Sequence, residues 1–341
     1  MSEPGATALP RRLGIANEGV WGFMEELGHA AEEAARELGM EARQVDTAED
    51  ESQVDALLAI GSVWLYPSLV ARPPVARRVL WHLEPLPRPG PEAGGMIHRR
   101  LPTGKLLDIA RTALPPLGRS ATWQQTRERA ANVREPLHNL AMLRRDAHTF
   151  DRIVVDTQSR AEGALRAGID VAIVAFGYHP AYAGALAAPQ IERDIDVLSL
   201  ASVDRVARRQ RVMTDIEAML GRSGVALAQV ERHTYGASRT QVLRRSKVVL
   251  DIHRVPGSHP LYRFILAAAA GAAMVSEPLD QPEPLVPGVH YVEAATSRLG
   301  EATLELLADE PRRQQIVVAA QALLSGELDL RRTLPRALGS R

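Results

Sequence analysis

Short apolar runs alternate with amphipathic segments along most of the chain, and this alternation is the strongest constraint on its fold. The apolar run 13–16 is followed by a turn containing glycine and by a segment, 23–38, whose apolar residues recur with helical spacing. A repeated order of strand, turn and helix predicts a parallel sheet covered by helices on both faces. Further buried strands are predicted at residues 42–45, 56–60, 79–83, 153–155 and 171–175.

A second series of the same kind begins after a stretch of small residues at 184–193. Its strands are predicted at 195–200, 225–230, 248–252, 273–276 and 291–292. The 341 residues are enough for two hydrophobic cores. We therefore expect two doubly wound, Rossmann-like α/β domains facing a cleft, at 1–188 and 189–325, followed by an arginine-rich tail at 326–341.

Composition excludes several classes of protein. Lys and Arg total 41 and Asp and Glu total 41, so no net positive charge favours nucleic acid or an anionic membrane. Cysteine is absent, which excludes disulfides and thiolate metal sites. The longest apolar stretch, about 264–275, is too short to cross a membrane, and the first residues do not resemble a signal peptide. A cytoplasmic location is the expectation.

Between about 84 and 119 the chain becomes rich in proline and glycine. Long loops of this kind often have a function, and a simple surface insertion is the alternative.

The turn after the first predicted strand contains Gly19 and Gly22, which would let the backbone approach a ligand. A plain connecting turn explains the same residues. The chain has no G-x-G-x-x-G and no P-loop, so neither a nicotinamide dehydrogenase nor a P-loop ATPase is supported.

Segment 202–209 directly follows the first strand of the second series. Ser202 can cap the next helix, and Arg205, Arg208 and Arg209 cluster where a pyrophosphate would need cationic donors. A solvated arginine face is the alternative.

Segment 251–263 also follows a strand and leads into a helix of small residues. Its two histidines, His253 and His259, have no third ligand at the usual spacing, so no metal site is expected. Arg263 fits either a ligand phosphate or a structural carboxylate. Glu84, at the end of strand 79–83, is the best-placed candidate for a general base, with a helix-capping loop glutamate as the alternative.

Taken in order, five segments resemble bacterial GT-B glycosyltransferases, and among them the spore-maturation CgeB-like set of glycosyl transferases group 1. These segments are 153–180, 194–202, 246–253, 262–277 and 285–292. The resemblance implies a nucleotide-diphosphate sugar held mainly by the second domain and an acceptor held mainly by the first. It also implies that no metal and no other cofactor is required.

The same resemblance implies roles for individual residues. Ser202, Arg205 and Arg208 would face the diphosphate, and Tyr235 with Gly236 would hold the nucleotide base. The loop before the small-residue helix would face the sugar and phosphate, which adds His253, Gly257, Ser258, His259, Tyr262 and Arg263 to the donor site. Gly19 and Gly22 would lie on the acceptor side, with Glu84 as the base of an inverting enzyme.

The chain departs from this family at one important point. Retaining members carry two glutamates eight positions apart, where this sequence has Ser258 and Leu266. Three functions therefore stay open: a hexosyltransferase-like enzyme, a non-catalytic homologue that binds a nucleotide or sugar or serves as a scaffold subunit, and an epimerase or phosphorylase. The acceptor, whether small molecule, glycan or protein, also stays open, as does assembly into a homodimer.

Overall fold

A computed structural model describes residues 8–18, 22–46, 51–87, 136–186, 191–200, 207–230 and 234–340. Gly19, Ser202, Arg205 and the greater part of the insertion at 84–119 lie outside these ranges.

The first sheet has six parallel strands in the order β2-β1-β3-β4-β5-β6. Every residue of β3 is buried, as expected for a strand covered by helices on both faces. The strands are β1 (Arg12–Ala16), β2 (Glu41–Val45), β3 (Ala56–Gly61), β4 (Arg77–His82), β5 (Arg152–Val155) and β6 (Ala172–Ile173).

Helices connect these strands. The long helix α1 places its alanines and leucines against the sheet, which agrees with the helical spacing of its apolar residues. The helices are α1 (Phe23–Glu37), α2 (Pro67–Val70), α3 (136–146), α4 (Gln158–Arg166) and α5 (Pro180–Ala183).

The second sheet has five parallel strands in the order β11-β10-β9-β7-β8. Its strands are β7 (Ile195–Ser199), β8 (Leu227–Gln229), β9 (Ser246–Asp251), β10 (Ala273–Ser276) and β11 (Val292–Glu293). Its helices are α6 (Ala207–Arg222), α7 (Gly236–Arg245), α8 (Leu261–Ala269), α9 (Leu299–Ala308) and α10 (Glu310–Ser325). The predicted pair of parallel α/β sheets is confirmed.

Successive residues of β9 pack on opposite faces of the second sheet. Val248 and Leu250 join a cluster with α6 and α9, whereas Val249 joins the larger core that continues into the first domain. Successive side chains of a strand point to opposite faces, so a run of apolar residues serves both layers. The larger core is continuous across the two sheets, which fixes their carboxyl edges near one another.

The last helix, α11 (Leu330–Leu338), returns to the first domain. Its apolar face is buried against α1 and β4, and Arg152 Nε donates to the carbonyl of Ala337 at 2.9 Å. The backbone of Tyr178 also accepts a hydrogen bond from Leu330 N–H, at 2.9 Å. The segment 326–341, expected as a tail, is thus largely an ordered helix that packs on the first sheet.

Candidate functional site

The carboxyl edges of the two sheets meet across a contact between Glu84 and Arg254. Glu84 follows β4 and Arg254 follows β9, and Arg254 Nη2 donates to Glu84 Oε2 at 3.2 Å. A second contact joins the same edges, since Gln281 Nε2 donates to Glu162 Oε1 at 2.9 Å. Ligands of open α/β sheets bind outside the carboxyl ends of the strands, so this cleft is the candidate site.

Arginine side chains crowd this cleft from both domains. Arg209 is buried on α6, and its Nε donates to the carbonyl of Ile252 at 2.8 Å. Burial, together with the charge of Arg263, lowers the pKa of Arg209 to about 9. On the first domain, burial lowers the pKa of Arg160 to about 10, although Arg160 pairs with Asp156. A dense set of partly dehydrated guanidinium groups favours a multiply charged anion.

Arg208, predicted at the donor diphosphate, is held by Glu277 at the end of β10. The two side chains form a bidentate ion pair, with Arg208 Nη1 at 3.0 Å from Glu277 Oε2. Arg208 Nη1 also donates to the carbonyl of His253 at 3.1 Å. Burial alone would raise the pKa of Glu277, but hydrogen bonds from Arg208 and Thr296 outweigh it and hold that pKa below its usual value.

Arg263 forms the second ion pair of the cleft, with Asp251 at the end of β9. Asp251 is fully buried, and its Oδ2 lies 3.3 Å from His253 Nε2. Burial opposes ionisation, yet the charge of Arg263 and the contact with His253 lower the pKa of Asp251. Of the two roles expected for Arg263, the structure shows the pairing with a carboxylate.

Two histidines of the cleft are neutral at pH 7. His82, at the end of β4, is fully buried, and burial together with the charge of Arg160 lowers its pKa to about 3. Burial lowers the pKa of His259 to about 4, and its Nε2 lies 3.0 Å from the carbonyl of Pro282. Neutral imidazoles here add hydrogen-bonding capacity without adding charge.

The loop before α8 is fixed to the strand-end loop beside it. The carbonyl of Gly257 accepts a hydrogen bond from Asp280 N–H at 3.0 Å, and Ser258 N–H donates to the carbonyl of Val255 at 3.0 Å. Gly257 and Ser258 therefore lie between the N-terminal end of α8 and the segment that follows β10.

Gly22, Tyr235 and Gly236 come together at another part of the interdomain contact. Gly22 precedes α1 with φ of 63°, and a Cβ added there would lie 2.9 Å from Tyr235 Oη. Tyr235 precedes α7, which begins at Gly236. The residues expected to hold the nucleotide base therefore contact the glycine turn expected on the acceptor side.

Tyr262 points into the same interdomain contact. Its hydroxyl donates to Glu26 Oε2 at 2.9 Å, and its ring stacks on Tyr182 with the ring centroids 6.0 Å apart. The hydroxyl is thus engaged between the domains, whereas the adjacent Arg263 reaches Asp251.

Several residues of the cleft were not selected from the sequence. Asp251 and Glu277 could have been found, because each is the polar residue at the end of an apolar run. Glu26 carried no such signal, since its partners lie more than 200 positions away.

Within the described ranges, no three His, Asp or Glu side chains are grouped to hold a metal ion. Nor does any helix of the described part have the length and apolarity to span a membrane.

Residues 207–338 match a protein family described as glycosyl transferase-like. The match begins at α6 and ends at the last residue of α11, and it includes Arg208, Asp251, Arg263 and Glu277. No curated protein sequence matches the chain.

Solved structures of glycosyltransferases resemble the whole chain. Anabaena HepE in complex with UDP-glucose aligns with a TM-score of 0.56 at 10% identity, covering 96% of this chain and 98% of that one. An alpha-glucosyltransferase in complex with UDP and DNA aligns with a TM-score of 0.58 at 9% identity, with the same coverage of 96% and 98%. WaaG, a glycosyltransferase of lipopolysaccharide biosynthesis, aligns with a TM-score of 0.51 at 10% identity, again covering 96% and 98%. The two parallel-sheet domains of this chain therefore adopt the GT-B fold of these glycosyltransferases.

Proposed function

We propose that this protein is a metal-independent glycosyltransferase that moves a hexosyl group from a nucleotide-diphosphate sugar to an acceptor hydroxyl. The observation that carries the proposal is the cluster of cleft arginines at the carboxyl edges of both sheets. A diphosphate leaving group needs this concentration of positive charge. The glycosyl transferase-like match over 207–338 supports the same conclusion.

In the proposed reaction the second domain binds the donor. The bond between the sugar C1 and the diphosphate oxygen breaks, and the acceptor oxygen forms a new bond to C1. The charge that develops on the departing nucleoside diphosphate is stabilised by Arg208, Arg209 and Arg263. These guanidinium groups supply the positive charge that a bound metal would otherwise provide.

In the first domain, Glu84 is the proposed base that takes the proton of the acceptor hydroxyl. Arg254 holds one carboxylate oxygen of Glu84 at 3.2 Å, which orients the group toward the cleft. A carboxylate at this edge of the acceptor domain can take the proton of a hydroxyl bound in the cleft. We further infer that the protein acts in the cytoplasm.

The ribose of the nucleotide must be bound without a carboxylate on α8. Leu266 is 2% exposed and belongs to the continuous core, so its position offers no ligand contact. A ribose carboxylate supplies charge-assisted hydrogen bonds of about 1.5 to 3 kcal/mol each. We therefore expect weaker donor binding than in retaining glycosyltransferases that hold the ribose through a glutamate.

A non-catalytic binding subunit is the second candidate. The observation that favours it is that Arg208 and Arg263 are each already neutralised by an internal carboxylate, Glu277 and Asp251. In such a subunit the cleft would bind a nucleotide or sugar weakly and would not turn it over.

Calorimetric titration with UDP, ADP, GDP and dTDP tests the donor site. UDP is the first choice because HepE and the alpha-glucosyltransferase were solved with UDP or UDP-glucose. Release of nucleoside diphosphate from the matching sugar nucleotide then separates the two candidates. Binding with turnover supports the transferase, and binding without turnover on any acceptor class supports the subunit. No binding of any diphosphate would contradict the transferase and also a subunit that binds a nucleotide.

A further inference from the structure

We propose that Glu26 is a positioning residue that holds the two domains closed over the cleft, through an interdomain latch made of Glu26, Arg239 and Tyr262. This inference rests on the proposed function, since the cleft that it closes is the proposed donor and acceptor site.

One carboxylate contacts both other members of the latch, and Arg239 Nη1 also donates to Tyr262 Oη at 2.8 Å. Glu26 lies on α1 of the first domain, and its Oε2 accepts hydrogen bonds from Arg239 Nη1 at 2.7 Å and from Tyr262 Oη at 2.9 Å. Its Oε1 accepts the N–H of Gly236, the first residue of α7. A single side chain of the first domain therefore binds two helices of the second, α7 and α8.

The guanidinium group of Arg239 is buried where the two domains are in contact. Arg239 is 4% exposed, and its Nη2 donates to the carbonyl of Tyr182 in the first domain at 2.9 Å. A buried guanidinium without a carboxylate partner is strongly unfavourable. Closure of this contact thus depends on Glu26, whereas in a separated arrangement water would solvate Arg239.

Aromatic rings surround the latch and exclude water from it. Tyr262 stacks on Tyr182 with an interplanar angle of 12°, and its ring centroid lies 5.2 Å from that of Phe23. Arg239 also lies over the Tyr262 ring, 5.7 Å from its centroid. In such surroundings the ion pair is little screened, so its loss has a larger effect than loss of a surface pair.

The position of the latch connects closure to the reaction. Gly236 and Tyr235 flank the latch and are the residues expected at the nucleotide base. The Arg254–Glu84 pair provides a separate cross-domain contact at the strand ends. Glu26 therefore acts on turnover by setting how closely the acceptor domain approaches the donor domain, and it does not touch the reacting atoms.

The test compares Glu26→Ala with Glu25→Ala, an exposed neighbour in the same helical turn. Small-angle scattering reports the separation of the domains against a radius of gyration of about 20 Å for a compact chain of this length. Calorimetry measures UDP affinity, and UDP release from the sugar nucleotide measures kcat. Circular dichroism confirms that each variant is folded, and Tyr262→Phe removes two latch hydrogen bonds, one to Glu26 and one from Arg239, while it keeps the ring stack.

We expect Glu26→Ala to enlarge the radius of gyration and to lower kcat on the order of 10- to 100-fold, because misplacement by about 1 Å can cost a factor of about 100. UDP affinity should change little, and Tyr262→Phe should give a smaller effect of the same kind. Scattering and kcat equal to those of Glu25→Ala would overturn the proposal. Loss of UDP binding in Glu26→Ala would also overturn it, because Glu26 would then belong to the donor site. If the wild-type protein binds no nucleotide, the proposed function fails, while the scattering comparison still decides whether Glu26 closes the domains.

Discussion

Arg208 on α6 and Glu277 after β10 form a partly buried bidentate ion pair inside the proposed donor site. Glu277 is 2% exposed and also accepts the backbone N–H of His253 at 2.8 Å. The carboxylate thus lies where the diphosphate of a donor would need Arg208. Glu277 both orients the arginine and offsets its charge.

Removing the negative charge of Glu277 should strengthen binding of a nucleoside diphosphate. In Glu277→Gln only the amide oxygen can still accept a hydrogen bond from Arg208, because the amide nitrogen is a donor, and the charge that repels a diphosphate is lost. We expect UDP affinity to rise by about 3- to 10-fold, the size of a coupling of about 1 kcal/mol. Calorimetric titration of UDP measures this change.

Arg208→Ala is the matched opposite change and should weaken UDP binding by about 10-fold or more, as expected for loss of a charge-assisted hydrogen bond. Arg222→Ala, an exposed arginine on the same helix, is the control. Equal weakening in Glu277→Gln and Arg208→Ala would show that Glu277 only positions Arg208.

The arrangement of strands and helices could be predicted because both sheets are parallel and buried on both faces. Such strands are continuous apolar runs, as in β3 and β9, and the helices between them show helical spacing. The position of Arg208 beside the cleft follows from the same reasoning, since it lies just after a strand that ends at the carboxyl edge.

Contacts between distant segments could not be predicted in this way. Glu26 and Tyr262 are 236 positions apart, and nothing in the local sequence of either indicates the other. The return of α11 to the first domain was missed for a related reason. Its arginines suggest a solvated tail, although Leu330, Leu334 and Leu338 form a buried face at helical spacing.

The buried histidines should make the protein less stable as the pH falls below about 6.5. His82 has a folded pKa of about 3, against 6.5 for an exposed histidine, so between these values the unfolded chain binds a proton that the folded protein does not. Stability then rises with pH across this window and is fully present above pH 6.5. We expect His82 to account for about 1 to 2 kcal/mol of the loss between pH 7 and pH 5.

Urea unfolding of the wild type and His82→Gln at pH 7, 6 and 5 measures this contribution. The dependence on pH should be shallower in His82→Gln. His29, whose side chain is 59% exposed, provides the control variant His29→Gln. A slope for His82→Gln equal to that of the control would contradict the assignment.

Gly22→Ala should disturb Tyr235, whereas Gly39→Ala should not. Both glycines have positive φ, 63° and 82°, so both substitutions strain the backbone, and the strain is larger at Gly22, whose ψ of −128° lies outside the left-handed helical region. Only the Cβ at position 22 would lie within 3 Å of a side chain, at 2.9 Å from Tyr235 Oη, while position 39 has nothing within 4 Å. The UDP affinities of the two variants therefore test the contact with Tyr235.

If Tyr235 holds the nucleotide base, Gly22→Ala should weaken UDP binding by about 5-fold or more, a loss of about 1 kcal/mol. Gly39→Ala should leave UDP affinity unchanged while unfolding at a lower urea concentration. Equal UDP affinity in the two variants would remove Tyr235 from the donor site.

Leu334 should be the residue through which α11 stabilises the first domain. It is fully buried, and its helix packs on α1 and β4. Leu334→Ala leaves a cavity and should lower the free energy of unfolding by about 2 to 5 kcal/mol, whereas Arg332→Ala, at an exposed position of the same helix, should change it by less than about 0.5 kcal/mol. Urea unfolding followed by tryptophan fluorescence, to which the buried Trp81 on β4 contributes, measures both variants. Because α11 joins the end of the chain to the first sheet, a loss in Leu334→Ala no larger than that in Arg332→Ala would mean that this sheet is stable without the returning helix.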